Sequence, residues 1–261
     1  MEGNMARSHW EDLNENEMER LEKILQPVEI HSTRTQNGIM MHLTILMQTL
    51  TKKLRDNGIV INGVYLIGGA ASHVVSFVHS YNDIDLMMSI EAPNGYEEEK
   101  RVFNAIRKLV VECVGQMTGG GGNQYFEKMH FVSFHLNLLM LLKDMFQTHE
   151  RNGDSWSLLS LHNIYGKNIE LKFVLRLARD FVFSTDSIKI DISSQAGQTG
   201  TNQMSSSFGN LKEAKYHIHH KMIDTINPEQ IIGGGFLKFV HLKSKKYKAA
   251  KKDEDLEQLL V

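Results

Sequence analysis

Two carboxylates, Asp83 and Asp85, stand two positions apart. Asp83, Ile84, Asp85 and Leu86 alternate acid with apolar side chain. Residues two apart on a β-strand point the same way, so Asp83 and Asp85 share a face while Ile84 and Leu86 turn to the other. Side by side, two carboxylates repel unless a cation lies between them. A hard divalent ion with oxygen ligands fits, and beside phosphates that is usually magnesium, with manganese as the substitute. Two-metal phosphoryl transfer needs a further carboxylate to complete the site. Glu170 is the candidate, because Ile169, Leu171 and Phe173 alternate with Glu170 and Lys172. Upstream, Gly68-Gly69 precedes a short apolar-rich stretch that reads as a helix. Glycines let the backbone approach a phosphate closely. A helix beginning there adds unpaired N–H groups and a positive dipole end. Ser72, in the first turn, is a candidate hydroxyl contact. Lys238, just after Gly233-Gly234-Gly235, is a candidate triphosphate contact, against the bland alternative of a solvated lysine.

These residues need elements to hold them. Residues 64–67 read as a strand closed by the glycine pair, 70–79 as a helix, and 83–90 as a strand. Helices are expected over residues 15–25, 38–57, 97–115 and 211–225, from the 3.6-residue spacing of their apolar positions. Strands are expected at 157–163, 168–174 and 188–192, with a turn at Tyr165-Gly166-Lys167. The stretch 131–146 reads as a strand followed by a helix, or as one buried helix. Four glycines at 119–122 mark a flexible loop, and the Ser-, Thr- and Gly-rich stretch 195–207 reads as an exposed one. The pattern is α+β, with a small mixed sheet flanked by helices. The expected organisation is an acidic N-terminal helix (1–30), a catalytic domain (31–195), a flexible loop (196–209), and a remnant of a helical domain ending in a Lys-rich tail (210–261).

Composition narrows this little. The chain has 261 residues, 41% of them hydrophobic and 23% charged, which suits an ordinary globular protein with a real core. No apolar run is long enough to span a membrane, and Met1 to Glu22 lacks a signal-peptide core. Cys113 is the sole cysteine, so no internal disulfide forms, and a reducing compartment is the simplest reading. The net charge of −2 argues mildly against nucleic acid, but the charge is uneven. Lys243, Lys245, Lys246, Lys248, Lys251 and Lys252 form a basic end that reads first as a solvated tail and second as an RNA-phosphate contact. Lys172 shares the face of Glu170 and either offsets carboxylate charge or is a plain exposed strand lysine. His217, His219 and His220 do not make a clean i, i+4 metal pair.

Apolar residue, Gly-Gly, then Asp-apolar-Asp resembles the signature of the DNA polymerase β-like nucleotidyltransferase superfamily. More narrowly, the chain resembles the terminal nucleotidyltransferase five family of cytoplasmic poly(A) polymerases. The resemblance rests on Gly68, Ala70, Ala71, Ser72 and His73; on residues 156–161, Trp-Ser-Leu-Leu-Ser-Leu; on residues 166–174, Gly-Lys-Asn-Ile-Glu-Leu-Lys-Phe-Val; and on Phe183-Ser184, Asp186-Ser187, Asn227-Pro228-Glu229 and the triple glycine. It implies transfer of AMP from ATP to RNA 3′ ends and mRNA stabilisation, in the cytoplasm with the nucleus as an alternative. It also implies that Asp83, Asp85 and Glu170 are the catalytic, metal-holding carboxylates, and that Gly68, Gly69 and Ser72 cradle the triphosphate. The family usually has Ser where this chain has Gly69, so one hydroxyl is lost. The family also continues further past the triple glycine, so the helical region reads as shortened. Weak ATP binding, exposed apolar side chains between residues 211 and 239, and a protein partner on that side are then expected. Two alternatives stand beside this reading: a weak or inactive member serving as an RNA- or protein-binding scaffold, and nucleotidyl transfer to a non-RNA acceptor.

Overall fold

The computed structural model describes residues 10–31, 38–118, 142–148, 153–177, 187–207, 210–223 and 240–249. The glycine run at 119–122, the first part of the 131–146 stretch, Phe183-Ser184, Asp186, Asn227-Pro228-Glu229, the triple glycine, Lys238, Lys251 and Lys252 lie outside the described residues, while residues 142–146, where the reading ended in helix, form strand instead. An eight-stranded mixed sheet, larger than the small one expected, organises the rest. Its strands in chain order are β1 (Glu11–Asp12), β4 (Ile61–Ile67), β5 (Asp83–Ile90), β6 (Leu142–Thr148), β7 (Ser155–Leu161), β8 (Asn168–Arg176), β9 (Ile188–Asp191) and β10 (Gln203–Ser206). Across the sheet the order is β1-β10-β9-β4-β5-β8-β7-β6. Every neighbouring pair is antiparallel except β5 and β8, which run parallel.

The strands at the centre are two-faced. Along β5 and along Asn168–Leu175 of β8, buried residues alternate strictly with half-exposed ones. Ile84, Leu86, Met88, Ile169, Leu171 and Phe173 turn into the core, where they meet the apolar stripes of α2 (Leu43–Asp56) and α4 (Tyr96–Thr118). Leu43, Leu46, Met47, Leu50 and Leu54 form the α2 stripe, and Phe103, Ile106, Val110 and Val114 that of α4. The opposite face of β5 and β8 carries Asp83, Asp85, Met87, Asn168, Glu170 and Lys172, all half-buried.

Several elements differ from the sequence reading. The N-terminal helix α1 is Glu15–Ile24, closed by a capping box in which Asn14 and Glu17 satisfy each other's backbone N–H groups. The helix expected over 38–57 begins only at Leu43. Residues Ile39–Met41 form strand β3, paired antiparallel with β2 (Val28–Ile30). Helix α3, Gly68–Val75, starts earlier than expected and ends where Ser76 turns extended. The exposed loop expected at 195–207 instead supplies β10, in which Met204 and Ser205 are fully buried. The helix expected over 211–225 is α5, Leu211–His220, closed by Lys221 in the left-handed conformation. The expected exposure of its apolar side chains does not hold in the described residues: Leu211, Ala214, Ile218 and Ile223 are all buried, and only Tyr216 lies open. The Lys-rich stretch is not all tail, because Lys248–Ala249 (β12) pairs with Met222–Ile223 (β11), and Tyr247 buries its ring against His79. No helix among the described residues is long and apolar enough to cross a membrane.

Candidate active site

The site is assembled at the parallel junction. β5 and β8 pair with Asp83 opposite Asn168 and Asp85 opposite Glu170, and Met87 opposite Lys172 follows one step inward. Parallel partners project to the same side, so the three acids and the lysine emerge on the open face. Antiparallel pairing of β4 with β5 puts Ile67 opposite Asp85, which brings the glycine pair following Ile67 to the same end of the sheet.

Gly68 is required twice over. Its φ is +68°, in the left-handed region that side chains avoid. A Cβ there would also stand 2.6 Å from Asp85 Oδ2, so a residue larger than glycine would push the acid out of place. At Gly69 a Cβ would meet Tyr81 Cβ at 3.3 Å, a tight fit. Helix α3 begins at Gly68, and its N-cap, Ile67, supplies no side-chain hydrogen bond. The first-turn N–H groups therefore stand ready for an anion. Ser72 is fully buried, so its hydroxyl lies beneath the surface of this cradle rather than on it.

Each acid has a defined partner. Asn168 Nδ2 donates to Asp83 Oδ1 at 2.9 Å. Lys172 Nζ donates to Asp85 Oδ1 at 2.6 Å and lies 3.7 Å from Glu170 Oε2. Glu170 is pushed up to about 7, first by burial, then by the charge of Asp85 and a hydrogen bond with it. Lys172 opposes that rise, and Asp83 adds to it. Three part-buried acids with one ammonium are short of positive charge, and hard oxygen donors in that state suit a divalent cation. The donor chemistry fits such an ion. As the side chains stand, no group of three His, Cys, Asp or Glu among the described residues is arranged to hold one. Lys172 and Asn168 already engage Asp85 and Asp83 in the places an ion's charge would fill.

The rim is built from the turn before β8. Asn163 accepts from His31 N and donates to the carbonyl of Glu29, which ties the β7–β8 turn to β2. Asn168 Oδ1 in turn accepts from Asn163 N at 2.9 Å, so Asn168 is fixed from both ends. Lys167 Nζ sits 3.2 Å from the ring centroid of Tyr81, and Tyr81 also tilts against His73. His73 Nδ1 pairs with the carbonyl of His79, which places its ring behind the glycine turn. Asn168, Lys167 and Tyr81 were not singled out from the sequence. The period-two count that placed Glu170 also puts Asn168 on its face, and pairing Glu170 with Asp85 sets Asn168 opposite Asp83.

The sequence matches the family model described as nucleotidyltransferase over residues 13–260. The chain belongs to that family. It is 32% identical to terminal nucleotidyltransferase 5B of Xenopus tropicalis over 243 residues, which cover 87% of this chain and 58% of that protein. It is 29% identical to human terminal nucleotidyltransferase 5B over 250 residues (90% of this chain, 56% of that protein). It is 31% identical to terminal nucleotidyltransferase 5C of Gallus gallus over 257 residues (93% and 63%). The chain thus spans little more than half the length of these relatives. A CCA-adding enzyme solved with ATP covers 95% of this chain and 44% of its own at 13% identity, with a TM-score of 0.45, a likeness too distant to transfer anything from.

Proposed function

We propose that this chain carries the catalytic centre of an RNA adenylyltransferase, which adds AMP from ATP to RNA 3′ ends. The observation that carries the reading is the register of the parallel pair. It sets Asp85 beside Glu170 and Asp83 beside Asn168, at the end of the sheet where Gly68 opens α3. In the reaction, the RNA 3′-hydroxyl oxygen bonds to the α-phosphorus of ATP. The bond from that phosphorus to the bridging oxygen breaks, and pyrophosphate leaves.

A divalent ion held by Asp83, Asp85 and Glu170 would polarise the phosphate and favour the ionised 3′-hydroxyl. The chain's own residues do the positioning. Gly68 lets Asp85 lie against the backbone, and the N-terminus of α3, which Ile67 leaves without a side-chain cap, offers N–H groups to incoming phosphate charge. Asn168, anchored through Asn163, holds Asp83 in one orientation. Lys167, stacked on Tyr81 beside Gly69, places a cation at the phosphate side of the site. Adenine as the base, RNA as the acceptor and Lys238 as a triphosphate contact extend the resemblance to the terminal nucleotidyltransferases.

The test is incubation of the chain with labelled ATP, magnesium and an oligo(A) primer, alone and joined to the C-terminal region of one of these relatives. A ladder of extended primers in either form supports the proposal. A single addition to another acceptor favours a non-RNA substrate. Retained ATP binding with no transfer in both forms favours a scaffold.

A further inference from the structure

Lys172 is the charged group that the proposed chemistry leaves without a task. Strand alternation alone put it on the face of Glu170, but it does more than share that face. Its ammonium reaches back along the sheet to Asp85 Oδ1 at 2.6 Å and stands 3.7 Å from Glu170 Oε2. The contact is sheltered: the Asp85 side chain is 13% exposed, that of Glu170 22% and that of Lys172 30%. Asp85 Oδ2 lies over Gly68, so Lys172 holds Oδ1, the oxygen that does not face the glycine. A charge-assisted hydrogen bond this short and this sheltered is stronger than an exposed ion pair.

An ammonium and a divalent cation cannot both lie against the same carboxylate oxygen without repelling each other. Two of the three acids that would hold the metal, Asp85 and Glu170, are the ones Lys172 reaches. We infer that Lys172 is a tethered stand-in for the divalent cation: it holds Asp85 and Glu170 in register when no metal is bound, and is displaced when metal enters. This rests on the reading of Asp83, Asp85 and Glu170 as a metal site. Lys172 is then a positioning residue with two opposed effects. It stabilises the metal-free fold by offsetting repulsion between acids, and it weakens metal affinity because an ion must first displace it. An ion arriving with the nucleotide's phosphates brings ligands that replace what it lost, so the lysine favours metal entering together with nucleotide over metal alone.

The experiment measures Mn2+ binding to the whole 261-residue chain by calorimetry and by loss of the free Mn2+ EPR signal. Melting temperature is recorded with and without Mn2+. The proteins are wild type, Lys172→Met, Lys172→Gln and Asp85→Asn, each checked for folding by circular dichroism. Lys172→Met is expected to bind Mn2+ about tenfold more tightly, the scale of one charge-assisted hydrogen bond. It should melt lower without metal and gain more from Mn2+ than wild type does. Lys172→Gln, which keeps a hydrogen bond but no charge, should shift the same way by less, and it carries the test if Lys172→Met does not fold. Asp85→Asn should bind Mn2+ more weakly than wild type. If the Lys172 variants bind Mn2+ no more tightly than wild type, the stand-in role is overturned while the metal site survives. If neither wild type nor the Lys172 variants bind Mn2+, the metal-site reading fails, and the inference falls with it.

Discussion

The two faces of β5 and β8 are made from interleaved residues of the same strands, yet they do opposite things. On one face Ile84, Leu86, Met88, Ile169, Leu171 and Phe173 are almost wholly excluded from water. On the other, Asp83, Asp85, Asn168, Glu170 and Lys172 stay half-open and are held by hydrogen bonds and charge. The packed face gains its energy from apolar area, which is non-directional and tolerates small displacements. The open face keeps like charges together, which costs energy and works only while the packed face fixes the register. Apolar packing and charge are therefore divided between the faces residue by residue, although neighbours in sequence alternate between them.

That separation can be broken in a definite order. Asp85→Ala should show the largest effect: loss of nucleotidyl transfer by about a thousandfold or more, the scale of removing a preorganised charge from a transition state. Its melting temperature should stay within a few degrees of wild type, because no core cavity forms. A large fall in melting temperature would place Asp85 on the structural side instead. Phe173→Ala is the mirror experiment. Its ring is fully buried, and its loss should cost about 3–5 kcal/mol of stability in denaturant titration, with the transfer rate of the remaining folded protein little changed. Asn168→Ala should sit between them, with a roughly 10- to 100-fold loss of activity in primer extension, as for residues that orient a metal ligand. A Mn2+ affinity unchanged from wild type would show that Asn168 does not orient Asp83.

The smallest effect comes from an acid of α4 that serves the fold alone. Glu99 is buried; burial alone would raise its pKa, but Arg176 and the Ser155 hydroxyl hold it below the usual carboxylate range. A carboxyl lowered by folding contributes stability above its unfolded pKa and loses that contribution as pH falls through the folded value. Wild type should therefore lose stability on acidification below about pH 4.5, the ordinary glutamate value. Glu99→Gln should flatten that loss and cost about 1.5 kcal/mol at neutral pH, the scale of a hydrogen bond to a charged group. An identical acid limb in both proteins in thermal melts would show that the Arg176 pair contributes nothing.

The open face was more legible in the sequence than the margins of the sheet. Strand β5 matches the sequence reading at both ends, because the alternation of acid and apolar residues over Asp83-Ile84-Asp85-Leu86 fixes its period. The same count set Glu170 on the face of the Asp pair. What it could not give was the partner strand: the parallel register that brings Asn168 to Asp83 is a long-range pairing with no local mark. Residues 39–41 read as helix because their apolar positions continue the stripe of α2, but the pairing with Val28–Ile30 overrides that preference. β10 was missed for the opposite reason. Gln203–Ser206 is short and rich in serine, and only its place between β1 and β9 makes it a strand. The buried underside of α5 followed from contacts with the sheet edge and α3 that no spacing rule encodes.

The parallel junction inside the eight-stranded sheet also bears on the order in which the molecule comes together. β4, α3 and β5 are consecutive, so the glycine turn and the Asp pair can find each other across a short stretch of chain. Asn168 and Asp83 are 85 residues apart, and parallel strands always need a long crossover between them. Closing so long a loop costs entropy before any contact repays it, which tends to make such pairing slow. Pairing of β8 with β5 is therefore expected late in folding, and a chain interrupted before it would hold Asp83, Asp85 and the glycine turn without Glu170 beside them.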